Sequence, residues 1–226
     1  MSALLHEADI RSQEYSTDAQ CPLCGCASVF FDSGKWGSYY KCSECSGIFL
    51  HEKNRMNETD EKNRYLLHRN DVNDKGYRSF VSPLVNAVRC NHTPSDKGLD
   101  YGSGPHSAAS TMLEESSYPV SLFDPFFQNK AEVLDRTYDY IILCEVMEHF
   151  YFPLKEFSTL YKMLNENGKL YCMTSLYDES ITFKTWHYVS DPCHVFFYSP
   201  KTLSWINKNI GFTNHTVDER LIIFEK

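Results

Sequence analysis

Hydrophobic positions fall into two patterns in the second half of the chain. Short apolar runs such as KGLDY and YDYIILC are bounded by glycine or charged residues, and this pattern predicts buried strands. Between the runs, PLKEFSTLYKMLNEN and KTLSWINKNI place apolar residues three and four positions apart, which predicts helices with one buried face. Because strands and helices alternate, the sequence predicts an α/β fold with a mainly parallel, Rossmann-like sheet.

The same reading predicts further elements around these four. PVSLFD and GKLYCMTSL are expected to be strands, and SAASTMLEES a helix. FTNHTVDERLIIFEK predicts two terminal strands joined by a turn near Asp218 and Glu219. The short AEVL stretch before Tyr138 is expected to be a vestigial third strand.

The middle of the chain predicts a helical connector over residues 51–90. Residues 51–63 are charged and lack apolar periodicity, so they are expected to be a linker or the start of an exposed helix, with a domain boundary near them. A helix with one buried face is then expected, because apolar residues recur at helical spacing. These residues are Tyr77, Phe80, Val81, Leu84, Val85 and Val88.

Four cysteines near the start form two C-x2-C pairs, Cys21 with Cys24 and Cys42 with Cys45. Two such pairs can complete a tetrahedral shell of four thiolates around one zinc ion, which leaves no open position and makes the site structural. Short strands around Gly34 and Gly37 would give residues 21–50 the form of a zinc ribbon. The alternatives are a disulfide pair or four ordinary buried cysteines. If zinc stabilises the ribbon, we expect the ribbon to unfold without it while the larger core stays folded.

Composition narrows the cellular locations and the classes of binding partner that we expect. The chain has 226 residues, with 22 Lys and Arg against 30 Asp and Glu, a net charge of −8. No basic stripe is visible, so nucleic-acid binding is not expected. Residues 1–20 are polar and predict a flexible N-terminus, with no signal peptide or membrane span. Nine cysteines suit a reducing compartment, so a cytoplasmic location is expected.

A glycine turn lies between a predicted strand and a predicted helix in LDYGSGPHS. Gly102 and Gly104 would let a ligand approach the backbone at the helix N-terminus. Asp100, two residues before the turn, would repel a pyrophosphate but attract the sulfonium and ammonium groups of S-adenosylmethionine. Asp124, at the end of the next predicted strand, could accept hydrogen bonds from ribose hydroxyls. Taken alone, Asp100 is equally well explained as a turn or capping residue.

With these motifs in order, the chain resembles the class I S-adenosylmethionine-dependent methyltransferases, and in particular a bacterial group with an N-terminal zinc ribbon. The resemblance covers residues 21 to about 212 and rests on LDYGSG, SLFDPFF and YDYIILCEVMEHF. It implies a cofactor-binding domain over residues 91–226. The implied cofactor-binding residues are Asp100, Gly102, Ser103 and Gly104 for the methionine moiety, Asp124 with Pro125 for the ribose, and Cys144 with Glu145 at the fourth strand.

Two departures from the family pattern bear on the cofactor. His106 stands where the family often has a third glycine, so an imidazole is expected near the cofactor carboxylate. The segment after Asp124 offers no obvious acid for the adenine amine, so Phe126 and Phe127 are expected to hold the adenine.

The candidate catalytic residues are histidines. His187 and His194 belong to TWHYVSDPCHVFFYSP, which is expected to cover the carboxyl edge of the sheet, and His149 follows the fourth strand. The alternative is that these residues only stabilise the loop and take no part in catalysis. Tyr65, His68, Asn70 and Tyr77 are expected to form a lid, as in similar methyltransferases, and ordinary helix packing is the alternative.

The sequence therefore predicts a methyltransferase that uses S-adenosylmethionine and carries a structural zinc ion. Its acceptor is unidentified, and a small molecule is the favoured class. The alternative is a noncatalytic methyltransferase-like adaptor whose zinc ribbon binds a protein partner. A nicotinamide-dependent oxidoreductase fits poorly, because it would need a third glycine near Ser107 and no acid at Asp100.

Overall fold

The computed structural model describes residues 19–67 and 71–226. These residues form a six-stranded sheet flanked by helices and a five-stranded sheet that carries the four N-terminal cysteines. The prediction of a flexible N-terminus over residues 1–20 falls mostly on residues 1–18, outside the described part of the chain. Ala19 and Gln20 form a short strand.

The elements follow the predicted alternation of strands and helices. The first half contains β1 (Ala19–Gln20), β2 (Ala27–Gly34), β3 (Gly37–Cys42), β4 (Ile48–Leu50), α1 (Glu58–Leu66), α2 (Lys75–Asn91), β5 (Gly98–Tyr101), α3 (Ala108–Glu114) and β6 (Val120–Phe123). The second half contains β7 (Tyr138–Cys144), α4 (Pro153–Met163), β8 (Leu164–Met173), β9 (Phe196–Phe197), α5 (Pro200–Ile206), β10 (Asn214–Asp218) and β11 (Leu221–Glu225).

The large sheet has the strand order β10-β11-β8-β7-β5-β6. Strands β8, β7, β5 and β6 are parallel, whereas β11 runs antiparallel to β8. Strand β10, at the end of the sheet, is antiparallel to β11 and so runs in the direction of the parallel strands. The predicted α/β fold with a mainly parallel sheet is confirmed. Because the parallel strands share a direction, β5, β6 and β7 end at the same edge of the sheet, where ligands bind in folds of this kind.

Helices cover both faces of this sheet because its central strands are apolar on both sides. Along β7, Tyr140 and Ile142 pack into one cluster with α2 and α3. Ile141 and Leu143, which alternate with them, pack into the opposite cluster with α4 and α5. The continuous apolar run YIIL in β7 is thus explained by burial of successive side chains on opposite faces.

The five-stranded sheet combines distant parts of the chain, in the order β1-β2-β3-β4-β9. Strand β9 pairs with β4, so that Ile48 lies opposite Phe197 and Phe49 opposite Phe196. Gly47 makes this close approach possible, since a Cβ there would lie 2.4 Å from the Phe196 ring. The sheet therefore extends beyond residues 21–50 and includes a strand from far along the sequence.

Two local predictions are corrected. AEVL is not a strand: Ala131–Val133 form a 3-10 turn, in which only Val133 is buried. Its polar flanks leave too few apolar positions for a sheet strand.

The helix predicted over PLKEFSTLYKMLNEN ends at Met163, and Leu164 already has extended backbone angles. Among the described residues, no helix is long and apolar enough to cross a membrane.

Candidate functional site

A cavity of about 570 Å³ opens at the carboxyl edge of the parallel strands. The glycine turn and Asp124 form one side, and α1 with the residues after β7 forms the other. Every predicted cofactor-binding residue contributes to its wall. The lining includes Glu61, Tyr65, Tyr77, Asp100, Gly102, Ser103, Gly104, Asp124, Pro125, Phe126, Phe127, Cys144, Glu145, His149, Tyr151 and His194.

The turn after β5 has a backbone shape that requires glycine at its first position. Gly102 has φ +87°, and a Cβ there would lie 2.6 Å from a Val146 methyl group. Gly104 has φ +61°, and a Cβ added there would meet no neighbouring atom within 4 Å, so space is open on that side. The backbone N–H of Gly104 donates to Oδ2 of Asp124 at 2.9 Å. The turn is therefore held against the end of β6.

Asp124 organises the loop after β6 through its other carboxylate oxygen. Oδ1 accepts hydrogen bonds from the backbone N–H groups of Phe126 at 2.8 Å and Phe127 at 3.1 Å. The side chain is buried yet lines the cavity. A carboxylate has about four lone-pair positions, so these three bonds leave capacity for a ligand hydroxyl.

Asp100 places a second carboxyl group beneath the turn. Only 2% of the residue is exposed, and the Ser110 hydroxyl donates to its Oδ2 at 2.6 Å. Burial raises the pKa of Asp100 to about 6, and the charge of Asp124 acts in the same direction. A ligand cation near this carboxyl would therefore meet a group that ionises near neutral pH.

Glu145, at the end of β7, is held by a residue that the sequence did not indicate. Arg220, between β10 and β11, donates to both carboxylate oxygens of Glu145 at 2.6 Å. Burial raises the pKa of Glu145, and the guanidinium opposes that shift. Burial also raises the pKa of the neighbouring Cys144 thiol well above its usual value, so this thiol stays protonated.

The opposite side of the cavity is formed by α1 and two tyrosines. The Tyr65 hydroxyl donates to Oε1 of Glu61 at 2.7 Å, and the Tyr151 hydroxyl donates to Oε2 at 3.1 Å. Burial raises the pKa of Glu61. The Tyr65 ring lies 5.6 Å from the Phe126 ring, centroid to centroid, so α1 spans the cavity toward Asp124.

Two of the three predicted catalytic histidines meet at this side of the cavity. The rings of His149 and His194 lie 4.8 Å apart. Nδ1 of His149 is 3.0 Å from the Cys193 carbonyl oxygen, and Nδ1 of His194 is 2.6 Å from the Tyr188 carbonyl oxygen. Since a carbonyl oxygen only accepts, each Nδ1 carries a proton and donates it.

Glu148 lies behind these histidines and is fully buried. Its carboxylate accepts hydrogen bonds from the hydroxyls of Tyr188 and Thr174. One of its oxygens lies 4.0 Å from Nε2 of His194. Burial, with the nearby charge of Glu145 as the next cause, raises the pKa of Glu148 to about 8.

Other predicted residues have different positions. His187 is exposed on a 3-10 turn and does not line the cavity, because that turn directs the next residue, Tyr188, inward. Its prediction as a catalytic residue is therefore not supported by its position. His106 is exposed at the cavity rim. Tyr65 and Tyr77 line the cavity, whereas His68 and Asn70 lie outside the described residues.

The four N-terminal cysteines form a separate cluster whose sulfur atoms all lie within 4.8 Å of one another. The Sγ atoms of Cys21 and Cys45 are 3.6 Å apart, and those of Cys24 and Cys42 are 3.3 Å apart. Neither distance is that of a disulfide bond, which is about 2.05 Å long, and all four thiols are free. Zinc–sulfur bonds of about 2.3 Å in a tetrahedron would separate the sulfurs by about 3.8 Å, so the cluster fits one zinc ion after small shifts.

In the comparison with protein families, the family of the methyltransferase domain matches residues 60–217. The match begins within α1 and ends within β10, so it includes the whole cavity edge of the large sheet. No protein with a curated description matches the sequence.

Several solved structures resemble the chain at low identity. A SAM-dependent methyltransferase from Archaeoglobus fulgidus has a TM-score of 0.52 and 15% identity, covering 66% of this chain and 94% of that one. An O-methyltransferase family protein from Burkholderia thailandensis has a TM-score of 0.48 and 11% identity, covering 73% and 61%. PigF with bound SAH has a TM-score of 0.44 and 16% identity, and the chain spans 56% of its length. The Archaeoglobus similarity shows the fold.

Proposed function

Because the chain belongs to the methyltransferase domain family, we propose that it transfers the methyl group of S-adenosylmethionine to an acceptor bound in the same cavity. The observation that supports this most directly is the cavity itself. It brings a glycine turn and two buried carboxyl groups together with a pair of histidines. One side is suited to the cofactor and the other to the acceptor.

On the cofactor side, opposite charges and open backbone favour S-adenosylmethionine. Asp100 would attract the ammonium group, and Asp124 would accept hydrogen bonds from the ribose hydroxyls. Gly102 and Gly104 would let the methionine moiety approach the turn, with Ser103 between them. Pro125 would border the ribose, Phe126 and Phe127 would contact the adenine, and Cys144 and Glu145 would bound the site at the end of β7.

The chemistry requires the protein mainly to position two molecules. Bound S-adenosylmethionine supplies a methyl group already activated by the positive sulfur, so alignment of the acceptor dominates catalysis. An oxygen or nitrogen acceptor must also lose a proton. His149 and His194 would receive it at Nε2, because their Nδ1 atoms are engaged with carbonyl groups.

A structural zinc ion at Cys21, Cys24, Cys42 and Cys45 completes the proposal. The support is the spacing of the four sulfurs, which fits one tetrahedral ion with no open position. The ion would take no part in methyl transfer, and the ribbon would contribute to the stability of the fold.

The acceptor is proposed to be a small molecule, as expected from the size and form of the cavity. A site of about 570 Å³ must hold both the cofactor and the reacting group. Its acceptor side is lined by Glu61, Tyr65 and Tyr151, which together offer one carboxyl and two aromatic surfaces. A planar acceptor with a polar substituent fits these groups.

Calorimetric titration of the zinc-loaded protein with S-adenosylmethionine and S-adenosylhomocysteine tests this function, with NADH as the negative control. Asp124→Ala should weaken binding of both sulfur ligands by about 2 kcal/mol, because charge-assisted hydrogen bonds are lost. Asp135→Ala is the matched control, since Asp135 is exposed and outside the cavity. Equal affinities for the two variants would remove Asp124 from the site. Binding without turnover across an acceptor screen would support the noncatalytic adaptor instead.

A further inference from the structure

Glu148, His149 and His194 form a second cluster of metal-ligating side chains, separate from the four cysteines. One ligand atom from each of the three residues lies within 4.8 Å of the others. His149 and His194 line the cavity, and Glu148 lies behind them. We propose that these three residues bind a divalent metal ion at the floor of the cavity, with open positions facing the acceptor.

The hydrogen bonds of the two histidines favour this assignment. Both Nδ1 atoms donate to main-chain carbonyl oxygens, of Cys193 and Tyr188 respectively. The neutral form of each ring then has its lone pair on Nε2. Metal-binding histidines commonly have this arrangement, in which the second nitrogen donates to a carbonyl or carboxylate and fixes the ring.

Glu148 is the third ligand, and a bound cation would favour its ionised form over the protonated form that burial favours. It is completely buried, and its hydrogen bonds come from two neutral hydroxyls, Tyr188 and Thr174. Burying an ionised carboxylate is costly unless a positive charge lies near it. The guanidinium of Arg220 is the nearby positive charge, but it is paired directly with the Glu145 carboxylate. A cation between Glu148 and the two imidazoles would balance the charge.

The distances allow one ion to reach all three groups. With bonds near 2.1 Å, two ligands on opposite sides of an ion are about 4.2 Å apart. Nε2 of His194 lies 4.0 Å from a Glu148 oxygen, inside this limit, and the ligand atoms of all three residues lie within 4.8 Å of one another. Small side-chain rotations would therefore bring the ligands into place.

The donor types point to a first-row divalent ion. Two imidazoles and one carboxylate suit manganese, iron, cobalt or zinc, and three protein ligands leave positions for water or substrate. Thiolates, by contrast, select softer ions. The cysteine cluster would thus hold a structural ion with no open coordination position. The second cluster would hold an ion whose open coordination positions face the cavity.

The proposed role of the ion rests on the methyltransferase function above. A hydroxyl of the acceptor bound to the ion would lose its proton to water more readily, because the cation stabilises the alkoxide or phenolate. The oxygen lone pair then forms the O–CH3 bond while the CH3–S bond breaks, and its electron pair stays on sulfur as a neutral thioether. The ion replaces the role given to His149 and His194 in its absence: their Nε2 atoms become ligands, and water accepts the proton. The acceptor class is a hydroxylated small molecule.

Manganese binding tests the site without any need for turnover. The zinc-loaded full chain is titrated with Mn²⁺, and the loss of the free-ion signal is followed by electron paramagnetic resonance. We expect one Mn²⁺ per chain, with affinity reduced at least about tenfold in His149→Ala and His194→Ala. His187→Ala is the matched control, because His187 lies in the same loop region but is exposed outside the cluster.

Titration of the same variants with S-adenosylhomocysteine checks folding and separates the two proposals. Loss of Mn²⁺ binding with the S-adenosylhomocysteine affinity retained would assign the site to these histidines. Absence of Mn²⁺ binding by the wild type at millimolar concentration, or unchanged binding in both variants, would overturn the metal site. Absence of S-adenosylhomocysteine binding by the wild type, with its Mn²⁺ binding intact, would count against the proposed function alone.

Discussion

Asp100 is a carboxyl group enclosed at the end of β5, and burial raises its pKa to about 6. The folded protein therefore holds the proton of this group more tightly than an unfolded chain, in which the pKa is near 3.8. A ligand ammonium beside Asp100 acts in the opposite direction, because it favours the ionised form. Ligand binding and proton release are linked at this residue.

The affinity for S-adenosylhomocysteine should consequently rise with pH. Between pH 5 and pH 7 the ionised fraction of a group with a pKa near 6 rises about tenfold, and affinity should increase by about the same factor. Above pH 7 the affinity should level off. Calorimetry in two buffers of different ionisation enthalpy would show release of close to one proton at the acidic end.

Asp100→Asn provides the comparison for this pH dependence. Asparagine retains an acceptor for the Ser110 hydroxyl but cannot titrate, so its affinity should be lower and nearly constant from pH 5 to pH 7. Asp124 also faces this region, and its charge contributes to the pKa of Asp100. A steep dependence that persists in the Asn variant would show that Asp100 is not the group that titrates.

At the scale of elements, the turn between β5 and α3 contains two glycines at which an added side chain should have different effects on stability. Gly102 and Gly104 both have positive φ, so alanine at either position is expected to cost about 1 kcal/mol of folding free energy. At Gly102 the new Cβ would also collide with Val146, whose branched side chain has little freedom to move. At Gly104 nothing lies within 4 Å.

Gly102→Ala should therefore destabilise the ligand-free protein more than Gly104→Ala, by a further amount of about 1–3 kcal/mol, the usual cost of an overpacked site. Urea unfolding monitored by circular dichroism would measure both values. The double variant Gly102→Ala with Val146→Ala should recover part of the loss, since it removes the colliding methyl groups. Equal destabilisation by the two single variants would mean that the turn relaxes away from Val146.

Sequence patterns predicted the elements whose partners are close in the chain. Strands β5, β6, β7 and β8 follow from their apolar runs, and Asp100 and Asp124 were placed at one edge because parallel strands end together. AEVL was assigned wrongly, because a run of four residues with exposed ends cannot be told from a turn by periodicity.

Residues that reach the cavity from distant segments were not predictable in the same way. Arg220 pairs with Glu145 across 75 positions, and no local pattern marks an arginine in a terminal turn as its partner. Glu61 falls in a segment whose charge predicted a linker or an exposed helix start, yet it is buried and bonded to Tyr65 and Tyr151. Strand β9 was missed because two phenylalanines become a strand only through pairing with β4.

At the scale of the whole molecule, the cysteine cluster and the large sheet share one core. Cys21, Cys42 and Cys45 pack in the same hydrophobic cluster as Phe196, Tyr198 and Leu203. The Thr202 hydroxyl at the start of α5 donates to the Cys45 carbonyl oxygen at 2.9 Å, and both groups are buried. The ribbon is thus joined to the larger core by a strand, a helix and a buried hydrogen bond.

This shared core changes the result expected when the proposed zinc ion is removed. Sequence spacing alone suggested that the ribbon would unfold while the larger core remained, but loss of the ribbon would expose Phe196 and the base of α5. We expect Cys45→Ser, or chelation of the ion, to destabilise both sheets together, because structural zinc contributes folding free energy directly. A single unfolding transition should shift to lower temperature.

Hydrogen exchange measured on both sheets provides the test. In Cys45→Ser the amides of β3 and those of β7 should lose protection in parallel, whereas Cys26→Ser should leave both unchanged, since Cys26 is half-buried in the same segment but outside the four-sulfur cluster. Loss confined to β3 would mean that the ribbon unfolds alone and that β9 stays in place without its partner. Parallel loss would make the zinc ion a condition for an ordered cavity, because the chain from His194 to β9 joins the acceptor side of the cavity directly to the ribbon.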